Sequence, residues 1–122
     1  MATVKTYRDL IAWQRAMDLA SETYHLTAGF PRDEMYGLTR QIPEAAVSVA
    51  SNIAEGQARG RREFRHFLTI ALGSVQELET QIVLAQRLGM SSPAAIRTVL
   101  ETGAEVGRLL RGLSSSLGPK SA

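Results

Sequence analysis

Apolar residues recur at steps of three and four along nearly the whole chain, the spacing of one face of an α-helix, in four runs set apart by glycine and proline. Leu10, Trp13, Met17, Ala20 and Tyr24 make the first seam, in a helix predicted from Asp9 to Leu26. Gly29 suits the position after a helix end, and Pro31 cannot continue the helix because it lacks an N–H. Asp33 is placed to cap a second helix whose inner face is Leu38, Ile42, Ala46, Val49 and Ile53, ending between Gly56 and Gly60. The third seam is the longest: Phe64, Leu68, Ala71, Val75, Leu78, Ile82 and Ala85 run unbroken to Gly89. Ser92 and Pro93 read as a cap and a first-turn proline. They open a fourth helix carrying Ile96, Val99, Gly103, Val106, Leu110 and Leu113.

No period-two clusters of β-branched residues and no hairpin dipeptides occur, so the fold class is all-α. Four helices joined by short connections form an antiparallel up-down-up-down four-helix bundle. The bundle domain is expected over residues 1–113, and the Ser/Gly/Pro-rich segment 114–122 reads as a flexible tail. With the second connection centred near Arg59, antiparallel register sets Arg40 opposite Glu77 and Gln81, an expected polar link between helices. Across the first turn, Trp13 is expected against Ala45 and Ser48, and Gly73 and Gly103 are candidates for close helix approach. Pro43 removes the hydrogen bond to the Thr39 carbonyl. A bend between Thr39 and Pro43 is favoured over a helix that begins at Pro43.

A chain of 122 residues supports a single core. Hydrophobic residues at 44% and charged residues at 21% are globular values, and no run approaches the roughly 20 apolar residues of a membrane span. The opening residues lack the layout of a secretory signal and there is no cysteine, so a cytoplasmic location is expected. Fourteen basic residues against twelve acidic ones leave a net charge of only +2, which makes the distribution of charge more informative than its total.

Three blocks, F-P-R-D-E-M-Y-G-L from Phe30, A-A-V-S-V-A-S-N-I-A-E-G from Ala45 and F-L-T-I-A-L-G-S-V-Q-E-L-E-T-Q from Phe67, carry a resemblance, and D-L-I-A-W-Q-R-A-M-D-L-A from Asp9 fits with them. The chain resembles the four helix bundle proteins encoded within intervening sequences of bacterial 23S ribosomal RNA. The resemblance implies a bundle that assembles into a ring-like homopentamer. It also implies kinship with the accessory variability determinant protein of diversity-generating retroelements, which partners a reverse transcriptase and nucleic acid. In that family basic residues usually follow the Gln-Ile pair of the second helix, whereas here Pro43 and Glu44 follow Gln41-Ile42. That departure counts against nucleic-acid binding along helix 2.

Catalytic chemistry has little to build on. Glu22-x-x-His25 and Glu63-x-x-His66 repeat the pairing used by di-metal bundles, but helical geometry points all four side chains away from the predicted seams and puts the pairs at opposite ends. No metal, no cofactor and no catalytic residue is therefore expected. Walker, G-x-S-x-G, H-E-x-x-H and dinucleotide motifs are lacking, and without cysteine there is no thiolate nucleophile. Asn52 and Glu55 have polar-site and capping readings alike.

The basic corner is the candidate binding site. Arg59, Arg61, Arg62 and Arg65 surround a single Glu63 near the start of the third helix, whose dipole favours anions. Chain direction brings Lys5 and Arg8 from the first helix, and Arg108, Arg111 and Lys120 from the fourth, to the same end. Arginine pairs bidentately with phosphate, so Arg59, Arg61, Arg62, Arg65, Arg8 and Arg111 are the expected nucleic-acid-binding residues. Apart from Phe64, which belongs to the third seam, no aromatic residue interleaves with them along the chain to stack bases. The alternative is a structural or adaptor protein that binds a protein partner such as a reverse transcriptase. Ala12, Ala16, Leu19 and Leu26 of helix 1, with Phe67, Ile70 and Leu84 of helix 3, form extra apolar stripes that either widen the core or are covered by association.

Overall fold

The structure, a computed structural model, describes residues 4–34 and 36–118. Four helices carry it: α1 (Ile11–Ala28), α2 (Leu38–Gln57), α3 (Arg61–Arg87) and α4 (Pro93–Ser116), with short 3-10 turns at Tyr7–Asp9 and Arg32–Glu34. Among the described residues there is no strand. α1 packs on α2 and α4, and α3 packs on the same two, so the helices form an antiparallel four-helix bundle in cyclic order with empty diagonals.

The seams read from the sequence on α2, α3 and α4 are the buried faces, except that Leu113 at the end of the α4 seam is only half-buried. Ile42, Val49, Ile53, Leu68, Leu78, Ile82, Ile96, Val106 and Leu110 are all enclosed. Truncating one of the larger of them to alanine strips packing from its neighbours and leaves a hole, at a cost of ~2–5 kcal/mol.

Helix α1 is rotated from its expected setting. Its buried face is Ala12, Ala16, Leu19, Ala20, Thr23, Leu26 and Thr27, while Met17 and Tyr24 are exposed and Trp13 is half-buried at the rim. On a helical wheel the two faces differ by about 100°. The reason is volume. Large side chains from the other three helices fill the interior, so α1 fits with its alanine stripe inward and its bulky residues on the edge. The α1 stripe left open by the sequence thus widens the core. On α3, by contrast, Ile70 and Leu84 stay exposed.

The helix ends follow local chemistry. Ser92 caps α4 by accepting from the Ala95 N–H at 3.2 Å, with Pro93 in the first turn. After α3, Gly89 at φ 68° lets its own N–H reach the Gln86 carbonyl and the Met90 N–H reach that of Ala85, and Met90 is buried behind it. Asp33 does not cap α2. It belongs to the 3-10 turn, and α2 starts after Gly37, whose carbonyl accepts from Arg40 and Gln41. The helix runs continuously through Pro43 from Leu38, so it does not begin at the proline. α4 extends to Ser116, three residues past Leu113.

Two expected contacts are replaced. Arg40 pairs with Glu44 one turn along its own helix at 3.1 Å, and Gln81 faces Glu77 on its own helix, so no link joins them across α2 and α3. The polar link between these helices is instead Ser48 Oγ to Ser74 Oγ at 3.0 Å, with the Asn52 amide donating to the Ser48 carbonyl at 2.8 Å and to its Oγ at 3.1 Å. Ser48 therefore faces α3, and the α2 groove wall that Trp13 shares is Val47, Ala50, Ser51 and Ala54. The close-approach glycine is Gly56: a Cβ there would lie 2.6 Å from the Phe67 Cβ. Gly73 looks into open space, and a Cβ on Gly103 would make only ordinary contact with Glu79.

Candidate nucleic-acid interface

The α2–α3 corner is three residues long, Ala58 to Gly60, and tight because Gly56 lets the α2 backbone press on Phe64 and Phe67. Gly60 takes the N-cap position of α3 and offers no side chain, so the first N–H groups of α3 have no side-chain acceptor. A helix start of this kind carries partial positive charge.

The six expected residues settle into different places. Arg59 is held within the corner: its guanidinium lies 4.7 Å from the centre of the Phe67 ring, donates to the Glu55 carbonyl at 3.3 Å, and lies 3.8 Å from the Glu55 carboxylate and 4.0 Å from that of Glu63. Arg61 is exposed and donates to the Ser116 carbonyl at 2.9 Å, clasping the end of α4 to the start of α3. Arg62 is exposed with no partner among the described residues. Arg65, one turn further along, is half-buried and its Nε has no acceptor. Arg8 sits in the Tyr7–Asp9 turn with its guanidinium 5.7 Å from the Tyr7 ring centre. Arg111 lies back from the tip, lining with Arg108 a cleft of about 210 Å³ between α3 and α4 that opens over Gly103 and Gly107 beside Glu79. Lys120 lies outside the described residues.

The Tyr7–Asp9 turn is itself capped. Asp9 accepts from the backbone N–H of Lys5 at 2.8 Å and of Thr6 at 3.1 Å, and these donors hold its carboxyl below the usual aspartate range. Arg8 is thereby fixed at the same end as the corner. Over residues 4–10, 55–66 and 108–118, the segments that chain direction gathers at this end, basic side chains outnumber acidic ones eight to three. The rest of the chain has an acidic excess.

The metal pairing stays divided. Glu22 and His25 lie near the end of α1 beside Ala95, Thr98 and Val99 of α4, and Glu63 and His66 lie at the start of α3, at the opposite end of the bundle. Because α1 is rotated, Glu22 is half-buried instead of pointing into solvent, and its Oε1 is enclosed without a partner. No group of three metal-binding side chains occurs among the described residues. Asn52 spends its amide on Ser48, one turn back on its own helix, and so steadies the hydroxyl that meets Ser74 of α3.

Two features escaped sequence reasoning. Arg15 forks onto Glu105 across α1 and α4, with Nε to Oε2 at 3.0 Å and Nη2 to Oε1 at 2.9 Å, and bonds Asp18 at 2.6 Å. The partners are 90 residues apart, which no local pattern signals. The second is a groove between α1 and α2 in which Tyr7, Trp13, Met17 and Tyr24 face Val47, Ala50, Ser51 and Ala54. Its signal was present as the step-of-three-and-four stripe of large residues on helix 1, but size made that stripe look like core.

Chain order and packing define an antiparallel up-down-up-down four-helix bundle with a cationic end. The family described as 23S rRNA-intervening sequence protein matches residues 8–112, and the chain belongs to that family. Its fold is similar to the crystal structure of a protein of unknown function from the S23 ribosomal protein family of Bacteroides thetaiotaomicron VPI-5482. That similarity has a TM-score of 0.79 at 21% identity, over 86% of this chain and 96% of the other. No curated protein matches the sequence. No helix among the described residues is long and apolar enough to cross a membrane.

Proposed function

We propose that the chain is a non-enzymatic cytoplasmic protein that assembles with copies of itself and binds the sugar-phosphate backbone of RNA or DNA through its α2–α3 corner. The observation that carries this reading is the segregation of charge, eight basic side chains to three acidic over the chain segments at the end of the bundle where α3 starts without a side-chain cap. Arg62, and the donors of Arg61 that are not spent on the Ser116 carbonyl, lie beside those N–H groups, which suits phosphate oxygens. Arg59 serves mainly to hold the corner, since its guanidinium is already engaged by Phe67, Glu55 and Glu63.

The test is salt dependence. Arg61→Ala with Arg62→Ala should weaken duplex binding and reduce the slope of log K against log salt by about 0.9 for each phosphate that the protein no longer neutralises. Unchanged affinity and slope would reject the corner. Self-association is the second part of the reading, and Ile70, Val83 and Leu84, exposed along α3, with Leu88 just past its end, are the surface it would cover. The resemblance to ring-forming homopentamers and to accessory variability proteins favours the same arrangement, with a reverse transcriptase as the alternative occupant of that face.

A further inference from the structure

The α1–α2 groove begins at the cationic end and is walled by rings. Three of the chain's four tyrosine and tryptophan residues, Tyr7, Trp13 and Tyr24, line it, and Tyr24 is 60% exposed. Tyr7 and Trp13 meet edge to face at 5.2 Å, and Arg8 lies over Tyr7 at the groove's mouth. The remaining wall is small or uncharged, with the Ser21 and Ser51 hydroxyls between the apolar side chains, and no acidic residue lines it. From Trp13 to Tyr24 the groove follows α1 for about 16 Å, at 1.5 Å of rise per residue.

We infer that this groove takes unpaired bases, so that the protein prefers single-stranded nucleic acid of either sugar, with phosphates on the cationic end and bases stacked along Trp13 and Tyr24. A cationic end running into a ring-lined, acid-free channel is the arrangement that holds single strands, because every base has a face to stack whatever its sequence. A duplex keeps its bases stacked on one another and cannot use the groove. The inference rests on backbone binding at the corner, and it adds the state of the strand.

Trp13 is the only tryptophan, so its fluorescence reports on the groove directly. The full chain is titrated with an unstructured RNA of about 12 nucleotides, the DNA of the same sequence, the matching duplex and an abasic DNA strand of equal length. Quenching of Trp13 by both single strands but by neither the duplex nor the abasic strand is expected. Tyr24→Ser, a change at an exposed side chain, should lower single-strand affinity about fivefold or more while leaving duplex and abasic binding unchanged. Equal binding of all four probes, with Trp13 unperturbed and Tyr24→Ser neutral, would overturn the groove while sparing the phosphate site. No binding to any probe would overturn both. A fall in oligomer mass on Tyr24→Ser would show that a second copy fills the groove, and would also overturn the inference.

Discussion

Gly56 and Gly73 are both helical glycines, yet their surroundings give the same substitution opposite signs. At Gly56 a methyl group would meet Phe67 at 2.6 Å and Phe64 at 3.0 Å, so α2 and α3 must separate. Gly56→Ala should cost ~1–3 kcal/mol, as overpacking does. Gly73 lies in mid-helix with nothing within 4 Å of where its Cβ would stand. Gly73→Ala should therefore gain up to ~1 kcal/mol of helix propensity. Thermal unfolding of the two variants checks both, with the melting temperature expected to fall for the first and rise for the second. Equal shifts would mean that α2 and α3 do not touch at Gly56.

Between helices, the fork from Arg15 to Glu105 ties α1 to α4 on the outside of the bundle. The Arg15 hydrogen bonds hold the Glu105 carboxyl below its ordinary value of 4.5, and Glu105, with Asp18, pushes the Arg15 guanidinium further up. A carboxyl whose folded pKa is depressed contributes stability above its unfolded pKa and loses it as pH falls through the folded one. The pair should therefore contribute fully near neutral pH and fade below about 4.5. Glu105→Gln should lower the melting temperature at neutral pH and converge on the parent in acid. Both side chains stand partly in solvent, so added salt should shrink the difference. A constant gap across the acid range would show that Glu105 acts by packing and not by charge. Asp9 behaves in the same sense at the first turn, where its protonation would loosen the cap that holds Arg8.

For the molecule as a whole, the expected consequence of the exposed α3 face is assembly. Light scattering at micromolar concentration should return a multiple of the 13.3 kDa subunit mass. Leu84→Glu, which places a charge on a side chain already 46% exposed, should shift that mass toward the monomer without unfolding the bundle. A monomer in the parent protein would remove the ring from the proposed function but leave the cationic end intact. Assembly would reinforce the charge segregation, because each added copy would multiply the cationic surface offered to one polyanion.

The amino-acid sequence by itself determined the number of helices, their order, the inward faces of α2, α3 and α4 and the gathering of arginines at one end. Helical period, capping residues and short connections are local properties, and chain direction follows from them. Only the tertiary structure decided the rotation of α1, since which of its two apolar stripes turns inward depends on how much volume the other three helices leave. The same rotation placed Trp13 and Tyr24 beside Tyr7 along an outer groove, although along the chain no ring stands among the corner arginines except Phe64 and Phe67. The register of Ser48 on Ser74, the approach of Gly56 to Phe67 and the reach of Arg15 to Glu105 were likewise set by packing. Each joins residues on different helices, and a periodic pattern holds no information about the axial offset between helices.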